Sequence, residues 1–293
     1  MDVQQKGSEF DGRVAVITGA GGGIGRSHAL EFAKRGAKVL VNDLGGDVHG
    51  VGRGNTADLV VEEIRDLGGD AIANRASVAD KDSARSIVED ALNAFGRIDI
   101  LVNNAGILRD KTFKKMTLED FDLVVQVHLM GTAYVTHAAW PHMYEQRYGR
   151  IVFTSSGSGI FGNYGQSNYG AAKMGMLGLA NVLALEGGPR NVHVNCLGPG
   201  AATRMTNTVP GRDEDLDNVD PARSPNLVSP AVLYMCSEDA PNGCVIHASG
   251  GRYSRSVIYV NEPVSLDSTS TYEDLLPRVS ELMDMSDAKP RQR

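Results

Sequence analysis

The chain contains few cysteines, and none of them lies in a spacing typical of metal or redox sites. Among 293 residues there are only Cys196, Cys236 and Cys244, and no C-x-x-C pair occurs. This pattern excludes a disulfide framework and a cysteine-based zinc site, and it suits a reducing compartment. We therefore expect no bound metal ion.

Long apolar runs and clusters of positive charge are also missing. No apolar run approaches the roughly eighteen residues of a membrane-spanning helix, and the N-terminus lacks the apolar core of a signal peptide. The net charge is −7 and no basic run occurs, which argues against nucleic acid or an anionic membrane as partner. The chain ends in R-Q-R instead of a peroxisomal address such as S-K-L. We expect a soluble, cytoplasmic protein.

Glycine, in contrast, is abundant, and its first cluster follows an apolar run. Residues 14–18 are mostly β-branched and lead into G-A-G-G-G-I-G at positions 19–25, after which residues 26–35 have a helical pattern. Such a turn lets the backbone approach a pyrophosphate, to which the following helix presents free N–H groups and its positive dipole end. Ordinary turns also use glycine, but the strand, turn and helix together predict a dinucleotide site.

Apolar strands and helical segments alternate along the rest of the chain, which predicts an α/β fold with a parallel, doubly wound sheet. With 293 residues, 42% of them hydrophobic, the chain can bury one large core, so we expect one domain. The predicted strands are 14–18, 38–42, 70–75, 98–102, 150–154, 192–197 and 244–248. The predicted helices are 26–35, 56–67, 82–95, 121–139, 168–185 and 228–236.

The second predicted strand ends at Asp43, where a dinucleotide fold needs a carboxylate for the adenosine ribose hydroxyls. A carboxylate about 4 Å from a 2′-phosphate would be repelled by about 4 kcal/mol at an effective dielectric constant of about 20. No Lys or Arg in residues 20–23 offsets this repulsion, so we predict NAD as the cofactor. The alternative is a solvated loop aspartate.

Two further segments lie near the adenine end of the predicted site. Ser77 and Val78 follow the third predicted strand, a position that suggests an adenine contact. Residues 45–54 form a glycine-rich insertion, which we interpret either as a mobile loop near the adenine or as a plain surface loop.

The candidate catalytic groups lie in S-G-S-G-I-F-G-N-Y-G-Q-S-N-Y-G-A-A-K, residues 156–173. If Tyr169 lies early in a helix, Lys173 follows one turn later on the same face and the two side chains can meet. Lowering the pKa of a phenol from about 10 to about 7 requires roughly 4 kcal/mol, and a nearby ammonium and a positively charged cofactor act in that direction. Ser156 ends the preceding strand, where its hydroxyl can donate to the same reacting oxygen. Y-x-x-x-K alone also occurs by chance on many helices.

The chain resembles the short-chain dehydrogenase/reductase family, because five motifs occur in the order and spacing of that family. They are T-G-A-G-G-G-I-G, N-N-A-G, Ser156, Tyr169 with Lys173, and N-C-L-G-P-G-A-A-T. The resemblance covers about residues 11–253. It implies a Rossmann-type sheet of about seven parallel strands, with Ser156, Tyr169 and Lys173 as catalytic residues. With the positions above, the predicted cofactor-binding residues are Gly19, Gly23, Ile24, Gly25, Asp43, Ser77, Val78, Asn104, Ala105, Gly106, Tyr169, Lys173, Pro199, Gly200 and Thr203.

Three longer segments resemble a narrower group. V-N-D-L-G-G-D, N-N-A-G-I-L-R-D and Y-G-Q-S-N-Y-G-A-A-K-M-G are similar to the (R)-3-hydroxyacyl-CoA dehydrogenase module of type 2 peroxisomal multifunctional enzymes, also described as a 17β-hydroxysteroid dehydrogenase module. This resemblance implies an NAD-dependent oxidoreductase acting on (3R)-3-hydroxyacyl-CoA. Two alternatives remain open: a hydroxysteroid or other alcohol dehydrogenase of the same fold, and a non-catalytic nucleotide-binding scaffold.

One position departs from the usual family pattern. Most members have an Asn in the fourth helix that helps to hold a water in the proton relay to the Lys, whereas this chain has His128, as the hydroxyacyl-CoA module does. A helical His is usually just packed or solvated. Because a ring nitrogen could hold the same water, we predict His128 as a fourth catalytic residue.

The segments around the predicted substrate side are less specific. Residues 204–225 are polar and acidic and contain proline, so we interpret them as a lid that gates access. An acidic lid suits the phosphates of coenzyme A poorly, and basic contacts would then come from Arg109, Lys111, Lys114 or Lys115.

Residues 261–293 form a predicted helical extension to the domain of residues 1–260. Its apolar stripe, which Pro277 starts or kinks, could pack on its own subunit or on a neighbour. The stripe consists of Leu275, Leu276, Val279, Leu282 and Met283. Helices 121–139 and 168–185 are apolar on more than one face, which predicts a homodimer or homotetramer unless the lid and the extension cover them.

Overall fold

The computed structural model describes residues 9–208, 215–216 and 218–291. The chain divides into two compact units, Met1–Ser254 and Arg255–Arg293. The boundary that we predict from the sequence, between residues 260 and 261, stays a prediction. Within the described ranges, no helix combines the length and the apolar character needed to span a bilayer.

The first unit is built around one eight-stranded sheet. Its strands are β1 (Val14–Thr18), β2 (Lys38–Asn42), β3 (Ala71–Asn74), β4 (Ile100–Asn103), β5 (Gly149–Thr154), β6 (Val192–Gly200), β7 (Val245–Ser249) and β8 (Arg252–Ser256). They are arranged in the order β3-β2-β1-β4-β5-β6-β7-β8, and β1 to β7 pair in parallel. The predicted doubly wound sheet with about seven parallel strands is therefore confirmed. The strand order reverses between β1 and β4, and the carboxyl ends of strands at such a switch point form a crevice.

Helices cover both faces of this sheet, which explains why its strands are apolar along their whole length. The helices are α1 (Gly23–Ala33), α2 (Thr56–Asp66), α3 (Lys81–Phe95), α4 (Leu118–Val125), α5 (Gly131–Gln146), α6 (Gly157–Phe161), α7 (Ser167–Gly187) and α8 (Ser229–Cys236). One buried cluster packs α1, α2 and α8 against the sheet, and a second packs α3, α5 and α7. Every residue of β1, β4 and β5 is buried between these two layers.

The predicted helix over residues 121–139 is interrupted. Here α4 ends at Val125, a π-helical turn spans Gln126–Met130, and α5 begins at Gly131. Single π-turns inside helices often occur at functional sites, and this one carries His128. The apolar pattern alone does not reveal one inserted turn, because it continues through it.

The prediction that residues 244–248 form the last strand of the sheet is wrong. After β7, Gly250 and Gly251 have φ values of 54° and 72°, and this two-residue turn leads directly into β8. So short a connection requires that β8 run antiparallel to β7. Four of the five β8 residues are exposed and the segment is polar, so its sequence carries no apolar signal.

The second unit contains short elements only. A two-stranded antiparallel sheet pairs β9 (Tyr259–Val260) with β10 (Lys289–Pro290). Between them lie α9 (Tyr272–Leu275), a 3-10 turn at Leu276–Arg278 and α10 (Val279–Met283). Pro277 falls in the 3-10 turn and separates the two helices, as its missing N–H requires. Most of the predicted apolar stripe is exposed within this unit, namely Leu276, Val279, Leu282 and Met283.

Candidate active site

A cavity of about 830 Å³ lies at the carboxyl ends of the parallel strands. The predicted site residues that line it are Gly19, Gly23, Ile24, Gly25, Asp43, Ser77, Val78, Asn104, Ala105, Gly106, His128, Tyr169, Lys173, Pro199 and Thr203. Ser156 and Gly200, also predicted, do not line the cavity itself. The fold thus brings residues from seven separate segments of the chain to one place.

The turn between β1 and α1 is held against Asp43 and Asn104. The carboxylate of Asp43 accepts hydrogen bonds from the backbone N–H of Gly21 at 2.8 Å and of Gly45 at 2.7 Å. A Cβ on Gly21 would lie 2.9 Å from Cγ of Asp43, so only glycine lets the carboxylate approach this turn. The Asn104 amide donates to the carbonyls of Thr18 and Gly19 at 3.1 and 2.9 Å, which fixes the other side of the turn.

This turn fits the phosphates of a dinucleotide. Helix α1 begins at Gly23, its N-cap Gly22 makes no side-chain capping bond, and its first turn contains no acidic residue. Its first N–H groups and the positive end of its dipole are therefore available to an anion. Asp43 lies beside the turn, where it can accept from ribose hydroxyls.

The candidate catalytic residues meet at the start of α7. The ammonium of Lys173 lies 5.4 Å from the ring centre of Tyr169, and Tyr169 and Lys173 are 9% and 2% exposed. Lys173 donates to the carbonyl of Thr154 at the end of β5, and Ser155 Oγ donates to the carbonyl of Lys173 at 3.0 Å. The end of β5 and the helix are thus tied together at the reacting groups.

Ser156 lies near the same phenol. Its hydroxyl oxygen caps α6 by accepting from the backbone N–H of Ser158 at 3.1 Å, and the hydroxyl is near enough to Tyr169 to lower the pKa of the phenol. The short helix α6, which the sequence did not reveal, therefore orients Ser156. Ser156 and Lys173 thus both lie next to the Tyr169 phenol.

Burial favours the neutral forms of both titratable groups in the protein alone. It raises the pKa of Tyr169 to about 12, although the hydrogen bond from Ser156 acts in the opposite direction. It also lowers the pKa of Lys173 to about 7. Lys173 alone therefore does not make Tyr169 acidic, and the phenolate needs a further positive charge in the cavity.

His128 lies next to this group and is fully buried. Its ring meets that of Tyr169 edge-on, with centroids 5.1 Å apart at 89°. Nε2 lies 3.0 Å from the N–H of Ile107 and 2.8 Å from its carbonyl, whereas Nδ1 is buried without a hydrogen-bond partner among the described residues. Burial, helped by Lys173, lowers the pKa of His128 well below its ordinary value, so the ring is neutral. A neutral ring whose Nε2–H donates to Ile107 leaves Nδ1 as an acceptor that a water could satisfy.

We expect His128→Asn to keep the fold and most of the activity, because a carboxamide can both donate to and accept from the Ile107 backbone. His128→Leu should lower the free energy of unfolding by about 1–3 kcal/mol, since it leaves the buried Ile107 carbonyl, to which Nε2–H donates, without a partner. Urea unfolding of both variants measures the difference. Equal stabilities for the two variants would contradict the backbone role.

Two basic residues that we proposed for coenzyme A phosphates have other partners. Arg109 Nη1 and Lys111 Nζ donate to the two oxygens of Asp120, at 2.8 and 3.1 Å. Both cations therefore share a single carboxylate. Lys114 and Lys115 are exposed, and no ion pair to either is present among the described residues.

The 45–54 loop is more than a plain surface loop. Its Val48 carbonyl accepts from the N–H of Leu108 at 2.9 Å, and its His49 carbonyl accepts from Nε of Arg109 at 2.9 Å. Asp47, Val48 and Gly50 line the cavity. The loop thus connects the Asp43 side of the cavity to the residues that follow β4.

The sequence did not predict the apolar wall of the cavity. This wall includes Leu123, Val127, Met205 and Leu216. Leu123 and Val127 belong to the helix 121–139 whose extra apolar surface we predicted to be covered by a second subunit, and both line the cavity. Within the predicted lid, Asp213, Glu214 and Asp217 lie outside the described residues, while Leu216 and Val219 line the cavity.

A doubly wound parallel sheet, a glycine turn at a helix N-terminus and a buried Tyr and Lys pair with a Ser beside it define a nucleotide-dependent oxidoreductase. The short chain dehydrogenase family profile matches residues 13–214. The chain belongs to the short-chain dehydrogenase/reductase family, whose members use nicotinamide cofactors and act on CH–OH groups.

Individual relatives are similar over most of the chain. A short-chain type dehydrogenase/reductase of Mycobacterium tuberculosis is 50% identical over 279 residues, which cover 94% of this chain and 96% of that protein. Peroxisomal multifunctional enzyme type 2 of Mus musculus is 53% identical over 244 residues, which cover 83% of this chain and 32% of the mouse protein.

The structure of the full-length peroxisomal multifunctional enzyme type 2 of Drosophila melanogaster is also similar, with a TM-score of 0.79 and 40% identity. The match covers 97% of this chain and 48% of the fly chain. The chain therefore spans a third to a half of these multifunctional relatives.

Proposed function

We propose that this chain oxidises the 3-hydroxyl group of (3R)-3-hydroxyacyl-CoA with NAD as hydride acceptor, or runs the reverse reduction. The observation that carries the proposal is the buried pair of Tyr169 and Lys173 in the cavity that Asp43 and the glycine turn also line, with Ser156 next to the phenol. The choice of substrate is supported by the similarity to the multifunctional relatives of mouse and fly.

The side chains have distinct parts in this reaction. Tyr169 takes the proton of the substrate hydroxyl, and Ser156 holds the same oxygen as it becomes a carbonyl. Lys173 contacts the nicotinamide ribose and supports the ionised phenol. His128 positions the backbone at Ile107 and accepts from a relay water. NAD⁺, when bound, would supply the hydride acceptor, and its positive ring would supply the charge that the buried phenolate needs.

The choice of NAD over NADP rests on Asp43. Asp43→Ala, particularly together with Gly22→Arg, should shift the ratio of kcat/KM values toward NADP, because a repulsive charge is removed and an attractive one is added. The repulsion of about 4 kcal/mol corresponds to several hundredfold in affinity. Initial rates with both cofactors measure the shift. Wild-type enzyme that already uses NADP as well as NAD would show that Asp43 points elsewhere.

A panel of alcohols tests the substrate class. 3-Hydroxyacyl-CoA thioesters of several chain lengths, hydroxysteroids and simple secondary alcohols are compared by NADH formation. We expect the thioesters to give the highest kcat/KM. A steroid that exceeds every thioester would favour the hydroxysteroid alternative. NAD binding without turnover of any alcohol would favour the non-catalytic scaffold.

We also propose that the chain forms a homodimer or homotetramer through α7. Exposed apolar side chains on this helix include Met174, Val182 and Leu185, and Gly178 lies between them with nothing within 4 Å of its Cβ position. An exposed apolar stripe of this kind is typical of a self-complementary contact.

Gly178→Arg should dissociate this oligomer. The subunit itself has room for the side chain, and Arg favours a helix over Gly, so the fold should be unaffected. Sedimentation should show a smaller species with lower activity. Leu59→Arg, on the exposed side of α2, is the control and should leave the assembly unchanged. A fully active monomeric wild type at assay concentration would refute the proposal.

The cellular location is a proposal as well. We propose a cytoplasmic location, although the mouse and fly relatives carry peroxisomal names. Fractionation of source cells with an antibody to the chain tests it, and recovery with a membrane-bounded organelle would contradict it.

A further inference from the structure

Arg204 lies next to the glycine turn, and none of the family motifs includes this residue. Arg204 follows Thr203 after β6, is exposed and lines the cavity. In the part of the chain that the structure describes, its guanidinium has no hydrogen-bond or ion-pair partner.

The position of Arg204 over the turn is defined by two close approaches. A Cβ on Gly22 would lie 3.8 Å from Nη2 of Arg204, and a Cβ on Gly23 would lie 3.3 Å from Cγ2 of Thr203. The segment therefore crosses directly above the residues at which α1 begins, and the guanidinium stands beside the free N–H groups of that helix.

The backbone that carries Arg204 is held in place by threonines. The N–H of Thr203 donates to Oγ1 of Thr206 at 2.8 Å, and the N–H of Thr206 donates to Oγ1 of Thr203 at 3.2 Å. The Thr206 hydroxyl also donates to the carbonyl of Thr203 at 2.9 Å. This reciprocal pair closes a tight turn, which fixes the direction in which Arg204 leaves the backbone.

The other nearby cation is already neutralised. Arg26 lies in the first turn of α1, and its Nε donates to Glu63 at 2.9 Å, with a second bond from its Nη2. Among the described residues, Arg204 is therefore the cation that remains available to a phosphate at this turn. An arginine is well suited to that ligand because its planar fork matches two phosphate oxygens.

We propose that Arg204 is a cofactor-binding residue whose guanidinium pairs with the pyrophosphate of the dinucleotide. The inference rests on the proposed function in so far as the ligand is a dinucleotide. The 2′-phosphate of NADP has the same chemistry, but the carboxylate of Asp43 on the adenosine side of the turn opposes a phosphate there.

Calorimetry with ADP, adenosine and 2′-AMP tests the assignment without any turnover. Arg204→Ala should weaken ADP and NAD binding by about tenfold or more, the range for a lost bond to a charged group. It should leave adenosine binding unchanged and reduce the salt dependence of the ADP affinity. Arg204→Lys should recover part of the loss, and Arg53→Ala, an exposed cation of the 45–54 loop, should behave as wild type.

Wild-type ADP affinity in Arg204→Ala would overturn the assignment, and so would an equal loss for adenosine. A loss confined to 2′-AMP would also overturn it, because the guanidinium would then serve the 2′ position. A failure of the proposed function looks different, since wild type that binds ADP but does not turn over hydroxyacyl-CoA leaves this result standing.

Discussion

Tyr169→Phe is expected to reduce kcat by about 10²- to 10⁴-fold, the range for removal of a general acid-base group. Only the hydroxyl is lost, and the ring keeps its edge-on contact with His128 and its place in the buried cluster with Ile107, Leu108 and Val124. NAD affinity should therefore stay within about twofold of wild type. Steady-state rates and calorimetry on the same preparation measure both quantities.

Tyr164→Phe is the matched control for this substitution. Tyr164 lies five positions earlier in the same motif but is 89% exposed, so loss of its hydroxyl should change neither rate nor affinity. Activity of Tyr169→Phe above a small percentage of wild type would rule out the assigned role. A parallel loss of NAD binding would show that the substitution had disturbed the cavity instead.

Lys173→Ala is expected to damage both catalysis and cofactor binding. The ammonium both supports the ionised phenol and contacts the nicotinamide ribose in the proposed arrangement. We expect kcat to fall by about 10²-fold or more and the Kd for NAD to rise by about tenfold or more. Lys173→Met fills the same buried space without the charge, so it should show the same losses. Normal nucleotide affinity in both variants would contradict the ribose contact.

Wild type and Lys173→Met also allow a test by pH that does not depend on turnover. Burial lowers the pKa of Lys173 from 10.5 to about 7 in the folded chain. Between pH 7 and 10.5 the unfolded chain binds more protons than the folded chain. The free energy of unfolding of wild type should therefore rise as the pH increases across this window, and this gain in stability should be absent once the pH has fallen below about 7. The Met variant should lack this slope. Chemical denaturation between about pH 7 and 10 avoids the opposite effect of Tyr169, whose raised pKa removes stability only above that range.

Much of the fold could be predicted because parallel strands that are buried on both faces are nearly continuous apolar runs. The bounds of β1 and β2 coincide with the predicted residues 14–18 and 38–42. The glycine turn could be located for a related reason, since a close backbone approach requires glycine at defined positions. The Tyr169 and Lys173 pair follows from helix periodicity, because residues four apart share a face.

What the sequence did not reveal depends on contacts between distant segments. From the sequence, Arg109 and Lys111 could be proposed as phosphate contacts, because only the fold shows that both side chains pair with Asp120. Whether an apolar helix face meets a cavity, as at Leu123 and Val127, or a partner cannot be read from its pattern. The proposed role of Arg204 could not be predicted from the sequence either, because it depends on the glycine turn that the fold places next to this side chain.

The stereospecific oxidation rate is the most direct test of the proposed reaction. Initial rates of NADH formation are measured with the pure (3R) and (3S) isomers of one 3-hydroxyacyl-CoA, with wild type and Tyr169→Phe side by side. We expect wild type to prefer the (3R) isomer clearly in kcat/KM, and the variant to lose that activity. Faster turnover of the (3S) isomer, or no NADH from either isomer, would contradict it.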